Sequence, residues 1–149
     1  MYKNVENLIL EDAIIIFRNF SGKASKYNRL GDRNFGVIIN DPNLAQQLNE
    51  EGWNVKILRP RDEQDEPDHY IPVSVNYNNR PPKIYIITHK GKTLLDEETV
   101  ASLDYAEIKR VDLTLNPYFW ERDSNSGIKA YLKTMYVTIE EDPFESKYE

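Results

Sequence analysis

The chain of 149 residues contains no cysteine, only two histidines and no long apolar run. Without cysteine it has no disulfides, no thiolate zinc ligands and no cysteine nucleophile. His69 and His89 are too few to form a histidine metal cluster. No apolar run approaches the ~18–20 residues that cross a bilayer, and no basic segment precedes a long apolar stretch at the amino terminus. We therefore expect a cytoplasmic protein without a membrane span and without a cofactor.

Motifs of nucleotide and acyl chemistry are also missing. The sequence has no Gly-x-x-x-x-Gly-Lys-Ser/Thr loop, no Gly-x-Gly-x-x-Gly fingerprint and no Gly-x-Ser-x-Gly elbow. These motifs cradle phosphates or expose a nucleophilic serine. Their absence argues against a phosphate-loop nucleotide hydrolase and against a serine hydrolase of the elbow type.

The charge is unevenly distributed along the chain. In total 25 acidic residues face 19 Lys and Arg, for a net charge of −6. Residues 62–68 carry five acids and no base, and residues 140–149 carry five acids and one lysine. The rest of the chain is therefore net basic, at +3. The net charge bears on solubility more than on the partner that one face binds.

The dominant structural signal is β. Short runs of β-branched and aromatic residues predict strands; they cover residues 13–20, 34–40, 53–59, 69–77, 83–89, 107–119 and 128–140. Asp41, Pro42 and Gly52 bracket one well-marked helix, and a weaker one is predicted near residues 96–103. The SNSG sequence at 124–127 predicts a hairpin turn. This pattern indicates a small barrel or curled antiparallel sheet over residues 1–139, followed by an acidic flexible tail over residues 140–149.

Basic and aromatic residues are interleaved in several of these segments. The side chains concerned are Arg18, Phe20, Lys23, Lys26, Tyr27, Arg29 and Arg33, then Lys83 and Tyr85, then Lys129, Tyr131 and Lys133. In the last strand Lys129, Tyr131 and Lys133 share a face because side chains alternate with a period of two. Flat rings flanked by cations suit single-stranded nucleic acid, since the rings stack on unpaired bases while Lys and Arg neutralise phosphates.

The acidic end contains an aromatic anchor. Glu140, Glu141 and Asp142 are followed closely by Phe144. Such a peptide could occupy the basic groove when nucleic acid is absent, or dock other proteins when nucleic acid displaces it.

Together, these patterns resemble the phage-type single-stranded DNA-binding proteins with an OB-fold core. The likeness lies in the opening strand–loop–strand (AIIIFRNFSGKASKYNRLGDRNFGVIIN), in the closing hairpin (VDLTLNPYFWERDSNSGIKAYLKTMYVTI) and in the EEDPF ending. The resemblance implies a mainly β, OB-like fold and sequence-independent coating of single-stranded DNA in phage replication or recombination, in the cytoplasm of an infected bacterium.

The resemblance also implies where the DNA binds. It places Arg18, Phe20, Lys26, Tyr27 and Arg33 at the groove, with Lys129, Tyr131 and Lys133 from the closing hairpin. Tyr118 and Trp120 would be additional stacking platforms. The acidic tail would contact replication or recombination proteins, and an exposed edge strand could support a weak homodimer.

Two other function classes stay open at this point. Asp68 after Pro67, with Glu107 and Lys109, matches a degenerate nuclease pattern in which carboxylates hold Mg²⁺. Alternatively, the acidic segments could make the chain a DNA-mimic-like interaction protein or inhibitor that binds a basic host protein.

Overall fold

The computed structural model describes residues 5–59, 64 and 66–141. Within them the strands are β1 (Leu8–Leu10), β2 (Ile15–Asn19), β3 (Arg33–Ile39), β4 (Lys56–Leu58), β5 (Asp68–Val75), β6 (Lys83–Thr88), β7 (Gly91–Leu95), β8 (Ile108–Arg122) and β9 (Asn125–Ile139). The helices are α1 (Pro42–Glu51) and a short 3-10 helix (Val100–Asp104). No helix among these residues is long and apolar enough to cross a bilayer.

A single sheet contains the nine strands of the described chain, in the path β1-β8-β9-β5-β3-β2. The two ends of that path are β1 and β2, which only residues 11–14 separate along the chain. The sheet must therefore curl until its ends meet. The Ala13 amide seals the junction by donating to the Val111 carbonyl of β8 over 2.8 Å. The predicted OB-like fold, a curled and mainly antiparallel sheet, is thus confirmed.

The long hairpin β8–β9 forms the most extensive strand pairing of the described chain. The two strands pair from Ile108 opposite Ile139 to Arg122 opposite Asn125. The connecting turn lies at Asp123 and Ser124, and Asp123 has a φ of 57°. The turn therefore comes at the start of the predicted SNSG segment, and both strands reach further than the sequence pattern indicated.

Strand β9 pairs with two successive partners on its other edge. Its first half runs parallel to β5 at Ala130 and Tyr131, and its second half runs parallel to β6. Pro72 of β5 lies between the stretch of β5 that pairs with β4 and the two residues that pair with β9. The proline thus falls where β5 changes neighbours, so its missing N–H removes no bond that these ladders need.

The helix α1 begins and ends as predicted. The Asp41 carboxylate accepts from the Asn43 amide over 2.9 Å, and Pro42 occupies the first turn. Gly52 ends the helix with a φ of 109°, a conformation that glycine adopts without steric penalty. Ala45 and Leu48 bury the apolar face of the helix. The second predicted helix is only the 3-10 helix, which buries Val100 and Leu103.

The core fills the inside of the curled sheet. Most of it comes from the alternate residues of β3, β5, β8 and β9 that point inward, together with the apolar face of α1. Trp53, directly after α1, is buried there and bridges to Ile128 of β9. The opposite residues of the same strands face outward, and they build the candidate interface.

Candidate nucleic-acid interface

The base of the β2–β3 loop is fixed to the 3-10 helix. The Asp104 carboxylate accepts from the amides of Phe20 (2.6 Å) and Ser21 (3.1 Å). The Arg18 guanidinium donates to the carbonyls of Leu103 and Ala106, each over 2.8 Å. Arg18 therefore ties β2 to the 3-10 helix.

The predicted position of the Phe20 side chain is wrong. The sequence pattern placed it in the groove, but its ring is completely buried and stacks on Phe35 with centroids 5.2 Å apart. A ring without an exposed face cannot stack on a base, so Phe20 is a core residue. The reason is that β2 shifts register against β3 between Ile16 and Asn19, which changes the side of the strand that each following residue faces.

The tip of the same loop is exposed and carries basic and aromatic groups. Lys26 lies over the Tyr27 ring, with its Nζ 5.6 Å from the ring centroid. Arg29 pairs with Asp32 over 3.4 Å at the surface. Lys23 instead lies beside the 3-10 helix, where it donates to the Tyr105 hydroxyl; this bond raises the pKa of the Lys23 ammonium.

Arg33 ends the loop and is held on three sides. Its Nε donates to the Phe20 carbonyl over 2.9 Å, and a terminal nitrogen lies 3.2 Å from the Glu97 carboxylate. Its guanidinium covers the Tyr77 ring at 5.4 Å, and burial raises the pKa of that phenol. Only 19% of the Arg33 side chain is exposed, so Arg33 presents one edge to the outside.

The outward face of β9 carries two of the predicted residues side by side. Lys129 and Tyr131 are accessible, while the alternate residues Ile128 and Ala130 are buried. The Lys129 Nζ lies 5.1 Å from the centroid of the Tyr131 ring. The alternation predicted for this part of the strand is therefore correct.

Lys133 continues that alternation, which breaks at the next residue, Thr134. Thr114 pairs with Thr134 and Leu115 pairs with Leu132, so Lys133 has no opposite residue in β8. This bulge reverses the inward face of β9 from even-numbered to odd-numbered residues. Lys133 is exposed at the bend.

Tyr118 and Trp120 stand on the neighbouring strand. Tyr118 pairs with Lys129 in register and meets the Tyr131 ring edge to face, with centroids 5.8 Å apart. The side chains of Tyr118 and Trp120 are 56% and 39% exposed. The Trp120 ring lies over Gly127, the residue opposite it in β9. Both aromatics are therefore surface residues that can offer a ring face.

Three recesses in this outward surface adjoin one another. The first is lined by Trp120, Ser74 and Lys129, and the second shares Ser74 and Lys129 and adds Tyr131. The third shares Tyr131. We call this continuous surface the groove, and it is lined by Arg29, Arg33, Ser74, Arg80, Tyr118, Trp120, Lys129 and Tyr131. Rings and cations both line it, and the carboxylates of Asp32 and Glu97 lie beside Arg29 and Arg33.

Arg80 is a groove residue that the sequence prediction did not include. It lies in the β5–β6 loop with a φ of 50° and lines the third recess beside Tyr118. The loop is brought to the groove by the switch of β9 from β5 to β6. Nothing in the local sequence shows that switch, although Arg80 does stand in a basic stretch.

Lys83 and Tyr85 lie in a separate group. Tyr85 of β6 stacks on Tyr136 of β9 with centroids 5.2 Å apart, and Lys92 lies over both rings at 4.8 and 5.8 Å. Lys83 is exposed on the same strand as Tyr85. None of these four residues lines the groove recesses.

The start of the acidic tail is fixed at its first two residues. The Glu140 amide donates to the Glu107 carbonyl over 2.7 Å. The Glu141 carboxylate accepts from the His89 amide over 3.0 Å and also contacts its ring, and these bonds lower the pKa of Glu141. Asp142 and Phe144, the other tail residues predicted to bind partners, lie outside the described residues.

The residues of the nuclease alternative belong to different parts of the sheet. Asp68 begins β5 and pairs with Leu58 of β4, whereas Glu107 precedes β8 and bonds Glu140. Lys109 follows on β8. The described part of the chain has no group of three or more His, Asp or Glu that could hold a metal ion.

A curled OB-like sheet with rings and cations in an outward groove is typical of a single-strand nucleic-acid binder. The whole chain, residues 1–149, matches the model of the family described as "Putative phage ssDNA-binding domain". The chain therefore belongs to the phage single-stranded DNA-binding family, and the resemblance and the function class predicted from the sequence are both confirmed. No curated protein sequence matches the chain.

Solved structures match as well. One is the single-stranded DNA-binding protein from bacteriophage Enc34, with a TM-score of 0.59, 10% identity and coverage of 96% of this chain and 90% of that one. The same phage protein in complex with ssDNA matches with a TM-score of 0.61, 10% identity and coverage of 93% and 89%. Its C-terminal truncation matches with a TM-score of 0.59, 10% identity and coverage of 93% and 88%. At this identity the matches show a shared fold.

Proposed function

We propose that the protein coats single-stranded DNA by seating the strand in the groove, with bases on the rings and phosphates on the cations. The observation that carries this proposal is the row formed by Lys129 and Tyr131, with Tyr118 and Trp120 beside them on β8. Four groups of this kind lie within two paired strands, close enough for one strand of nucleic acid to meet all of them.

The two kinds of contact supply different parts of the affinity. Stacking of a base on an aromatic side chain is worth ~1–3 kcal/mol and accepts every base. Each Lys or Arg that neutralises a phosphate releases a counterion, so binding weakens as salt rises. Arg29, Arg80 and Lys129 are the cations placed for this role. The expected result is binding with little sequence preference and a clear salt dependence.

In this account the protein binds DNA without changing it. Stacking and phosphate contacts need no nucleophile, metal or cofactor. The two carboxylates that line the groove, Asp32 and Glu97, are each paired with an arginine, Arg29 and Arg33. The protein would act in the cytoplasm of an infected bacterium, where phage replication and recombination expose single strands.

The acidic tail would regulate binding or dock other proteins. Residues 140–149 carry five acids and include Phe144, a combination that could compete with phosphates and bases for the groove. The Glu141 carboxylate, at the beginning of this segment, accepts a hydrogen bond from the His89 amide. Removing all residues after Ile139 should then tighten DNA binding, and replication or recombination proteins that need the tail should no longer associate.

A pair of lysine substitutions tests the groove. Lys129→Ala should weaken binding to an oligothymidine and lower the slope of log K against log salt by about 1. Lys109→Ala is the matched control, since Lys109 is also an exposed lysine but lies at the start of β8 outside the groove. Equal losses for both variants would show that charge alone, rather than the groove, governs binding.

A further inference from the structure

Phe17 is expelled from the core by a bulge in β2. Ile16 pairs with Gly36 and Asn19 pairs with Asn34, so two residues of β2, Phe17 and Arg18, oppose the single Phe35. Phe17 has a φ of 52°, and 61% of it is exposed. Without the bulge, the ring would face the core beside Phe35.

This conformation is costly and the surrounding structure holds it. A left-handed backbone is a genuine outlier for a bulky residue, and the exposed ring of Phe17 gains little burial in return. The next residue, Arg18, is fixed by the carbonyls of Leu103 and Ala106 at 2.8 Å each. Strain of this kind, maintained by its surroundings, is concentrated at functional sites.

The expelled ring contacts a second aromatic ring, and a lysine lies opposite that second aromatic residue on the neighbouring strand. The Phe17 and Tyr70 rings lie edge to face, with centroids 5.5 Å apart. Gly36 leaves room for this, because a Cβ there would lie 3.1 Å from a Tyr70 ring carbon. Lys56 of β4 pairs with Tyr70 in register and is exposed. The group repeats the combination of ring and cation that lines the groove.

The outward face of β5 connects this group to the groove. Tyr70, Pro72 and Ser74 alternate with buried residues along β5, and Pro72 and Ser74 line the first recess. At ~3.3 Å per residue, Tyr70 lies about 13 Å from Ser74. A strand of DNA that leaves the groove along β5 would therefore reach Phe17 within a few nucleotides.

We propose that Phe17, Tyr70 and Lys56 form a further base-stacking subsite that extends the DNA path beyond the groove. This inference rests on the proposed function and adds a second binding site for the same DNA strand. An unpaired base stacks on the exposed Phe17 ring, Tyr70 holds that ring from the side, and Lys56 receives the adjoining phosphate. The subsite binds a base only when the DNA strand is long enough to span both the groove and the subsite.

Oligonucleotide length distinguishes binding at the subsite from binding in the groove. Labelled oligothymidines from ~4 to ~16 nucleotides, the range of single OB-fold sites, are titrated by fluorescence anisotropy. Phe17→Gly removes the ring and relieves the backbone strain, so the variant should melt no lower than the wild type. Its Kd should match the wild type within about 2-fold for the shortest strand and rise at least about 5-fold for the longest, as expected for one lost stack.

Two further variants keep the test decisive. Phe17→Leu retains an apolar side chain without a flat ring and should lose the same length-dependent affinity. Ile9→Ala removes an exposed apolar side chain on β1 and should change nothing. Equal Kd values for Phe17→Gly and wild type at every length would overturn the inference, as would a change in oligomeric state alone, which would indicate a self-association surface. Wild-type protein that binds no strand would instead refute the proposed function.

Discussion

The ring of Trp120 lies directly over Gly127, the residue opposite it across the β8–β9 hairpin. A Cβ built on Gly127 would be 3.0 Å from the Trp120 Cζ2 and 3.1 Å from its Nε1. The absence of a side chain at one position thus lets the indole lie flat against the hairpin and form one wall of the groove.

Gly127→Ala should therefore displace the indole and weaken DNA binding. The new methyl group meets the ring rather than strained backbone, because the φ of Gly127 is outside the left-handed region. We expect a loss of up to one stack, ~1–3 kcal/mol, in the binding free energy for oligothymidine. Ser126→Ala, a neighbour in the same recess, should bind like the wild type. Unchanged affinity in Gly127→Ala would exclude Trp120 from the interface.

Asp104 should stabilise both the fold and the DNA-binding loop. Asp104→Ala leaves the amides of Phe20 and Ser21 without their acceptor. Unsatisfied groups of this kind cost about 1–3 kcal/mol, so the free energy of unfolding measured in urea should fall by that amount. Because the loop leads to Arg29 and Arg33, which line the groove, DNA affinity should fall too. Asp32→Ala, which removes only an exposed ion pair, should cost less than about 1 kcal/mol.

The Asp112 carboxylate should make the stability of the folded state depend on pH. It accepts from Arg110 Nε at 3.1–3.2 Å and from the Asp12 amide at 2.9 Å, where the ends of the curled sheet meet. These bonds, that of Arg110 first, lower the pKa of Asp112 below its ordinary 3.8. A carboxylate with a lower pKa in the folded state stabilises the fold above its unfolded pKa, and the effect is lost as pH falls through the folded value.

The measurement is the melting temperature of wild type and Asp112→Asn at about pH 7 and about pH 2.5. The wild type should be the more stable at neutral pH, and the difference should shrink in acid. Because the side chain is partly exposed, we expect a shift of modest size. Two curves that stay parallel over this range would show that the carboxylate does not stabilise the junction.

The sequence predicted regular elements well because their causes are local. Asp41, Pro42 and Gly52 bracket α1 by capping chemistry, and alternation correctly assigned the outward face of Lys129 and Tyr131. These rules involve only residues a few positions apart, so one sequence is enough to apply them.

The structure differs from the sequence prediction where the register of a strand is set by the strand that it pairs with. The bulges at Phe17 and Lys133 exist because β3 and β8 each offer one residue opposite two. Their effects are to bury Phe20, to expose Phe17 and to reverse the inward face of β9. No local pattern specifies such a register, since it depends on contacts between distant strands.

Fluorescence titration with a ~30-nucleotide oligothymidine tests whether the groove binds single-stranded DNA. The titration is run at ~50 and ~200 mM salt, with duplex DNA as the comparison. Trp53 is buried and Trp120 is the exposed indole, so the tryptophan signal reports the groove. We predict saturable quenching that favours the single strand and weakens with salt. Equal quenching by duplex would contradict the preference for single strands. No quenching at the lower salt would contradict DNA binding in the groove and favour an acidic interaction protein.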